Sequence, residues 1–222
     1  MGLFITGTDT GVGKTHTLVQ LLRLLRSSGI KCAGMKPICC GDRHDAELLV
    51  AAGSDDLTID EINPVWMKQP VAPLSAALLE QKEIDVARIL DAFAQLQKKV
   101  EHVFVEGVGG WMVPIRADYF VRDLAAQMNL PVLVVSQNRL GCLNHTALTV
   151  ESVVRAGLDC AGVVLNSDSG APTNIATQTN SEILRMIIKA PIVSGLAEEM
   201  DTLPSDWREL LSVVLRHKMS GS

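Results

Sequence analysis

The chain has 222 residues, 47% of them hydrophobic and 20% charged, long enough to bury about 70% of its unfolded surface without disulfide staples. Its 17 glycines and 9 prolines are an average share, which excludes collagen-like, low-complexity and disordered classes. A net charge of -5, no Lys/Arg cluster and 4% aromatic residues exclude a basic nucleic-acid surface or a base-stacking platform.

No basic segment precedes the first apolar run, and no apolar stretch approaches the roughly 18 residues of a membrane span. Cys32, Cys39, Cys40, Cys142 and Cys160 form no CxxC pair and read as reduced thiols. The expected setting is the cytoplasm, with neither nucleic acid nor membrane as partner.

In chain order, residues 3–6 read as a strand entering a glycine-rich turn. Residues 16–28 read as a helix with Leu18, Leu21, Leu22 and Leu25 on one face, stopped by Gly29. A strand over 30–35, a short helix over 45–52 and a long loop over 57–73 follow, the loop holding Pro64, Pro70 and Pro73. A structureless loop of that length in a compact domain is usually functional. Residues 85–99 form an amphipathic helix, and 103–105 a buried strand ahead of the glycine-rich 107–110. Helices over 121–128, 142–156, 180–188 and 203–217 alternate with strands over 131–136, 160–166 and 191–193. Strand runs without polar alternation, separated by helices, predict an α/β fold with a mostly parallel sheet and helices on both faces. Ligands in such sheets sit beyond the carboxyl ends of the strands.

The sharpest motif lies at such an end. Gly7-Thr-Asp-Thr-Gly-Val-Gly-Lys14-Thr15 follows a strand and opens a helix, the setting of a P-loop. Its backbone N–H groups and helix N-terminus would cradle phosphates across Gly11, Val12, Gly13, Lys14, Thr15 and His16. Lys14 would reach the β- and γ-phosphates, and the Thr15 hydroxyl would ligate Mg²⁺. Five residues separate Gly7 from Gly13, where the standard motif has four. Partner-moving P-loop ATPases carry a second lysine at the position of Asp9, so a partitioning-type switch is the weaker alternative. That alternative would use the last helix, with Leu210, Leu211, Val214 and Leu215 apolar beside Arg208, Arg216, His217 and Lys218, against a membrane.

The metal needs carboxylates as well. Glu106 ends an apolar strand where a Walker B acid would stand, and Asp45 opens the helix after the second strand. Asp45 is a second ligand or an N-cap. Lys36, at the carboxyl end of the second strand, would stabilise transition-state charge.

Together these blocks resemble the dethiobiotin synthetase family. The resemblance rests on residues 7–15, Lys36-Pro37 with Gly41 and Asp45, Val105-Glu-Gly-Val-Gly-Gly-Trp111, Leu140-Gly-Cys-Leu-Asn-His145, and Asn166, in family order across about 160 residues. It implies one P-loop NTPase-like ligase domain over 1–222, acting as a homodimer with ATP and Mg²⁺. The family closes the ureido ring of dethiobiotin from 7,8-diaminononanoate, CO₂ (or bicarbonate) and ATP, through a carbamate and a carbamic-phosphoric anhydride. It further implies Thr15, Asp45 and Glu106 around the metal, and Lys14, Lys36 and Thr10 at the reacting groups. Asn166 would meet adenine, and Cys40, Gly109 and Gly110 would border the substrate. Gly141, Cys142 and Asn144 of the partner subunit would bind the substrate carboxylate at a helix N-terminus. The family usually has a hydroxyl residue where this chain has Cys40, and some members place a Tyr where only Gln178 to Asn180 occur.

Overall fold

β1 (Phe4–Gly7) is buried along its whole length and lies inside a six-stranded parallel sheet. The computed structural model describes residues 2–167, 174–197 and 200–214. Across the sheet the order is β10 (Ile192–Ser194), β9 (Cys160–Asn166), β8 (Val132–Gln137), β1, β5 (His102–Gly110) and β2 (Cys32–Met35). Every neighbouring pair is parallel. Phe4, Ile5, Val105, Val132, Leu133, Val134 and Val163 are fully or almost fully buried, so the apolar runs noted in sequence are covered by helices on both faces.

The helices are α1 (Lys14–Ser27), α2 (His44–Ala52), α3 (Ile59–Ile62), α4 (Pro73–Glu80), α5 (Val86–Lys99), α6 (Val121–Met128), α7 (Cys142–Arg155), α8 (Ile175–Ile187) and α9 (Ser205–Val214). α1 buries the Leu18, Leu21, Leu22 and Leu25 face foreseen from spacing. Each such burial contributes about 2 kcal/mol before the ordering cost. α5 buries Val86, Ile89, Phe93 and Leu96, and its N-cap Asp85 accepts from Arg88 N–H at 3.0 Å.

β1 is where the sheet changes winding direction: β5 and β2 lie on one side, β8, β9 and β10 on the other. The crevice beyond its carboxyl end is therefore the expected ligand site.

Several local expectations differ from the structure. The proline-rich 57–73 segment holds α3 and β4 (Val65–Met67), and Pro73 begins α4 instead of continuing a loop. Thr58 and Glu61 form a capping box on α3, and β4 pairs in parallel with β3 (Ile38–Cys40). Glycines 107–110 continue β5 instead of ending it, and β6 (Pro114–Arg116) with β7 (Tyr119–Phe120) forms a small antiparallel ribbon. α8 starts at Ile175, before the expected Asn180, because Asn174 caps it by accepting from Thr177 N–H at 3.1 Å. α9 is described to Val214; Leu215, Arg216, His217 and Lys218, on which the membrane-docking expectation partly rested, lie outside the described residues. No described helix is long and apolar enough to cross a membrane.

Candidate active site

Beyond β1 the chain turns sharply. Thr8 N–H donates to Val135 O of β8 at 2.9 Å, which ties the start of the loop to the neighbouring strand. Gly11 and Gly13 take φ of 74° and 90°, a left-handed conformation that other residues enter at a cost. Gly13 is the N-cap of α1 and offers no side-chain acceptor, so the first helical N–H groups are left for a ligand. Lys14 is buried, and its ammonium donates to Asp9 O at 3.1 Å. Burial lowers its pKa to about 8, partly offset by Glu106. Asp9 accepts from Thr10 N–H at 2.7 Å and faces Arg139 at 3.7 Å.

The second cluster is assembled from three elements. Glu106 comes from the buried part of β5, Asp45 from the first turn of α2, and Lys36 from the end of β2. Lys36 Nζ lies 2.5 Å from Glu106 Oε1 and 2.7 Å from Asp45 Oδ2. Thr15 Oγ1 donates to Glu106 Oε1 at 2.8 Å. Burial opposes the charge on Lys36, but Glu106 and Asp45 outweigh it and hold its pKa above the ordinary lysine range. Burial would raise the Asp45 pKa, yet Lys36 outweighs that and holds it below the usual carboxylate range. The other oxygen of Glu106, Oε2, is buried with no hydrogen-bond partner. A hydroxyl and two carboxylates, one of them with an orphaned oxygen, are hard oxygen donors that suit Mg²⁺. Among the described residues no cluster of three His, Cys, Asp or Glu side chains forms elsewhere or here.

Both clusters open into one cavity of about 740 Å³. Thr10, Gly11, Gly13, Lys14, Thr15, His16, Lys36, Cys40, Asp45, Glu106 and Gly109 line it. Ile38, Pro70, Val71, Val108 and Val113 give it an apolar wall. A neighbouring cavity of about 500 Å³ shares Thr10 and Val113 and runs past Gly110 and Trp111 to His145, Leu148 and Thr149 of α7. A Cβ on Gly110 would stand 3.4 Å from Gly7 O, and one on Gly109 3.4 Å from Thr10 Oγ1, so the end of β5 runs in contact with the P-loop.

Val12 is buried among core residues and reaches the site through its backbone. His16 Nε2 lies 2.8 Å from Leu196 O, an acceptor only, so this nitrogen carries the proton. Asn166 directs its amide at the P-loop, with Nδ2 2.8 Å from Val12 O and 3.3 Å from Thr17 Oγ1. Gly141, Cys142 and Asn144 line neither cavity; they open α7, with Gly141 as an exposed N-cap lacking a side-chain acceptor. Cys40 is half-buried, and burial pushes its thiol up to about 11.

Several residues that shape the site carry no signal in sequence. Buried Asn63 donates to Lys36 O at 2.8 Å and to Val65 O at 3.0 Å, while Ile62 O accepts from Lys36 N–H at 2.8 Å. Together they fix the backbone from which Lys36 projects. Trp66 Nε1 donates to Gly41 O at 2.7 Å and holds the turn after Cys40. Asn180, buried in α8, donates to Asn138 Oδ1 at 2.9 Å and steadies the turn before α7. Ser136 and Thr146, both fully buried, join β8 to α7 at 2.8 Å.

Comparison with known proteins adds to this geometry. A family described as AAA domain matches residues 1–203. The ATP-dependent dethiobiotin synthetase BioD of Akkermansia muciniphila is 43% identical over 202 residues, covering 91% of this chain and 94% of that protein. Its namesake from Endomicrobium trichonymphae is 38% identical over 213 residues, covering 93% and 97%. Among solved structures, the septum site-determining protein MinD with Mg-ADP from Pyrococcus horikoshii aligns with a TM-score of 0.52 at 15% identity, covering 86% of this chain and 79% of that one. A Borrelia burgdorferi plasmid partition protein bound to AMPPNP aligns at 0.55 and 13% identity, covering 96% and 97%. At such identity these two structures share the fold alone.

Proposed function

The chain belongs to the ATP-dependent dethiobiotin synthetase family, and from that membership we propose how its own residues divide the reaction. The enzyme closes the ureido ring of dethiobiotin from 7,8-diaminononanoate, CO₂ and ATP. One amine takes up CO₂ to give a carbamate. A carbamate oxygen attacks the γ-phosphorus and expels ADP. The second amine then attacks the carbonyl carbon of the mixed anhydride, losing its proton and expelling phosphate. This chemistry needs positioning and charge neutralisation more than covalent help from the protein.

The P-loop N–H groups hold the phosphates, and Lys14 trades its contact with Asp9 O for the β- and γ-phosphates. Thr15, Asp45 and Glu106 hold Mg²⁺, which when bound neutralises phosphate charge. Lys36, facing the same cavity, stabilises charge on the carbamate and the transferring phosphoryl group. Thr10, Cys40, Gly109 and Gly110 border the diamine. With Nδ2 committed to Val12 O, Asn166 has Oδ1 left to accept from the adenine amino group.

The substrate carboxylate is bound at the α7 N-terminus by Gly141, Cys142 and Asn144 of the partner subunit in a homodimer. The α7 start supports this: it has no side-chain cap, and although Cys142 N–H donates to Arg139 O at 3.1 Å, the helix dipole and the remaining first-turn N–H groups attract anions. Exposed Met112, Leu140 and Leu148 are the side chains such a partner would cover. The enzyme works in the cytoplasm as one ligase domain over 1–222.

The observation that carries this reading is the convergence of Lys14, Lys36, Asp45 and Glu106 on one cavity. Incubation with MgATP, the diamine and isotopically labelled bicarbonate tests it. Label appearing at the ureido carbon of dethiobiotin is expected; unlabelled diamine recovered intact beside ADP would count against it.

A further inference from the structure

Lys36 bridges two of the three side chains assigned above to the metal. Its ammonium touches Glu106 Oε1 and Asp45 Oδ2, and Thr15 touches the same Glu106 oxygen. Glu106 is 1% exposed and Lys36 5%. Two carboxylates this close, one of them buried, would repel without a cation between them. A divalent cation reaching those ligands would need the same oxygens, and at such short range it would repel the ammonium.

We infer that Lys36 is a built-in counter-cation for the metal site, displaced from Glu106 and Asp45 when the divalent cation binds and thereby delivered to the substrate cavity. The inference rests on the metal assignment proposed above. The backbone is already suited to it. Lys36 N–H and O are held by Ile62 O and Asn63 Nδ2 and Pro37 follows, so the side chain moves while its root stays fixed. Lys36 lines the 740 Å³ cavity with Lys14, so a released ammonium has only to rotate toward an anion there. The lysine then acts on the phosphoryl group only after the metal has arrived, which couples transition-state stabilisation to correct loading of the site.

The test is Mn²⁺ binding, followed by electron paramagnetic resonance on the full-length wild type, Lys36→Met, Lys36→Arg and Glu106→Gln. Lys36→Met removes the competing charge and should bind Mn²⁺ at least about tenfold tighter than wild type. Lys36→Arg, which keeps it, should show no such gain. Mn²⁺ binding no tighter in Lys36→Met overturns the inference, provided Glu106→Gln loses affinity. Binding indifferent to Glu106→Gln overturns the metal assignment itself. A crystal structure of the wild type with Mn²⁺ and a non-hydrolysable ATP analogue gives the same decision without any variant. Lys36 Nζ beyond hydrogen-bond reach of Glu106 Oε1 is expected, and the contact persisting beside the bound metal refutes displacement.

Discussion

Asn166 and Val12 lie 154 positions apart, yet the Asn166 amide donates to the Val12 carbonyl at 2.8 Å and so braces the P-loop from the end of β9. The fit is close on both sides. A Cβ on Gly13 would meet Asn166 Nδ2 at 2.5 Å, and one on Gly195 would meet Oδ1 at 2.2 Å. The two glycines leave the space that this side chain fills.

Replacing Asn166 therefore disturbs the loop before it disturbs base recognition. Asn166→Ala leaves Val12 O without its partner and should cost about 1–2 kcal/mol in chemical denaturation. It should also weaken MgGTP about tenfold through the shared phosphate cradle, and MgATP by more, since the adenine amino group loses its acceptor as well. A loss confined to ATP would show that Asn166 acts on the base alone.

Lys14 should leave a proton signature on nucleotide binding. Its pKa of about 8 is set by burial, and phosphates brought beside it raise that value. Above pH 8 the free enzyme holds it largely neutral, so binding takes up a proton and affinity falls as pH rises. Calorimetry near pH 9 in two buffers of different ionisation heat should report uptake approaching one proton. Lys14→Met should report none. Identical heats for the wild type in both buffers would contradict the assignment.

Cys40 lines the 740 Å³ cavity as a neutral thiol, because burial holds its pKa at about 11. Its neighbour Cys39 is held at about 12 by the same cause. Near neutral pH both should react slowly with iodoacetamide, since the thiolate is the reactive form. Cys40→Ser supplies a stronger hydrogen-bond donor at the same place. It should keep turnover while shifting KM for the diamine by a few-fold. An unchanged kcat/KM would show that the position does not touch the substrate.

Thr6 is a test of packing in β1. Its side chain is fully buried, and Oγ1 has no hydrogen-bond partner. Thr6→Val removes an unpaired polar group at nearly constant shape, so it should be neutral or stabilising by about 1 kcal/mol. A clear loss of stability in urea unfolding would reveal a partner for that hydroxyl.

What could be read from sequence follows a physical pattern. The P-loop was legible because its backbone path demands glycine at Gly11 and Gly13, and its chemistry demands Lys14 and Thr15. Lys36, just past the end of β2, and Glu106, which the sequence placed at a strand end but which lies within β5, were legible because a charged residue at the edge of an apolar run has few other reasons to be there. β5 was read too short, since glycine usually punctuates. Here the glycines stay in the ladder, with Gly110 at the end of β5 paired to Gly7 at the end of β1. α4 was missed because its first turn begins with a proline, a residue suited to that position but counted as a loop signal. Its exposed Leu78 and Leu79 also blur the helical periodicity. Asn63, Trp66 and Asn180 act through backbone carbonyls of distant segments, a relationship that no spacing rule encodes.

The most direct measurement of the central claim is phosphate release from MgATP, with and without 7,8-diaminononanoate and bicarbonate. Release that requires both, with dethiobiotin formed in equal amount, is the predicted result. Release at the same rate without the diamine would contradict the ligase account and leave a P-loop ATPase of another purpose.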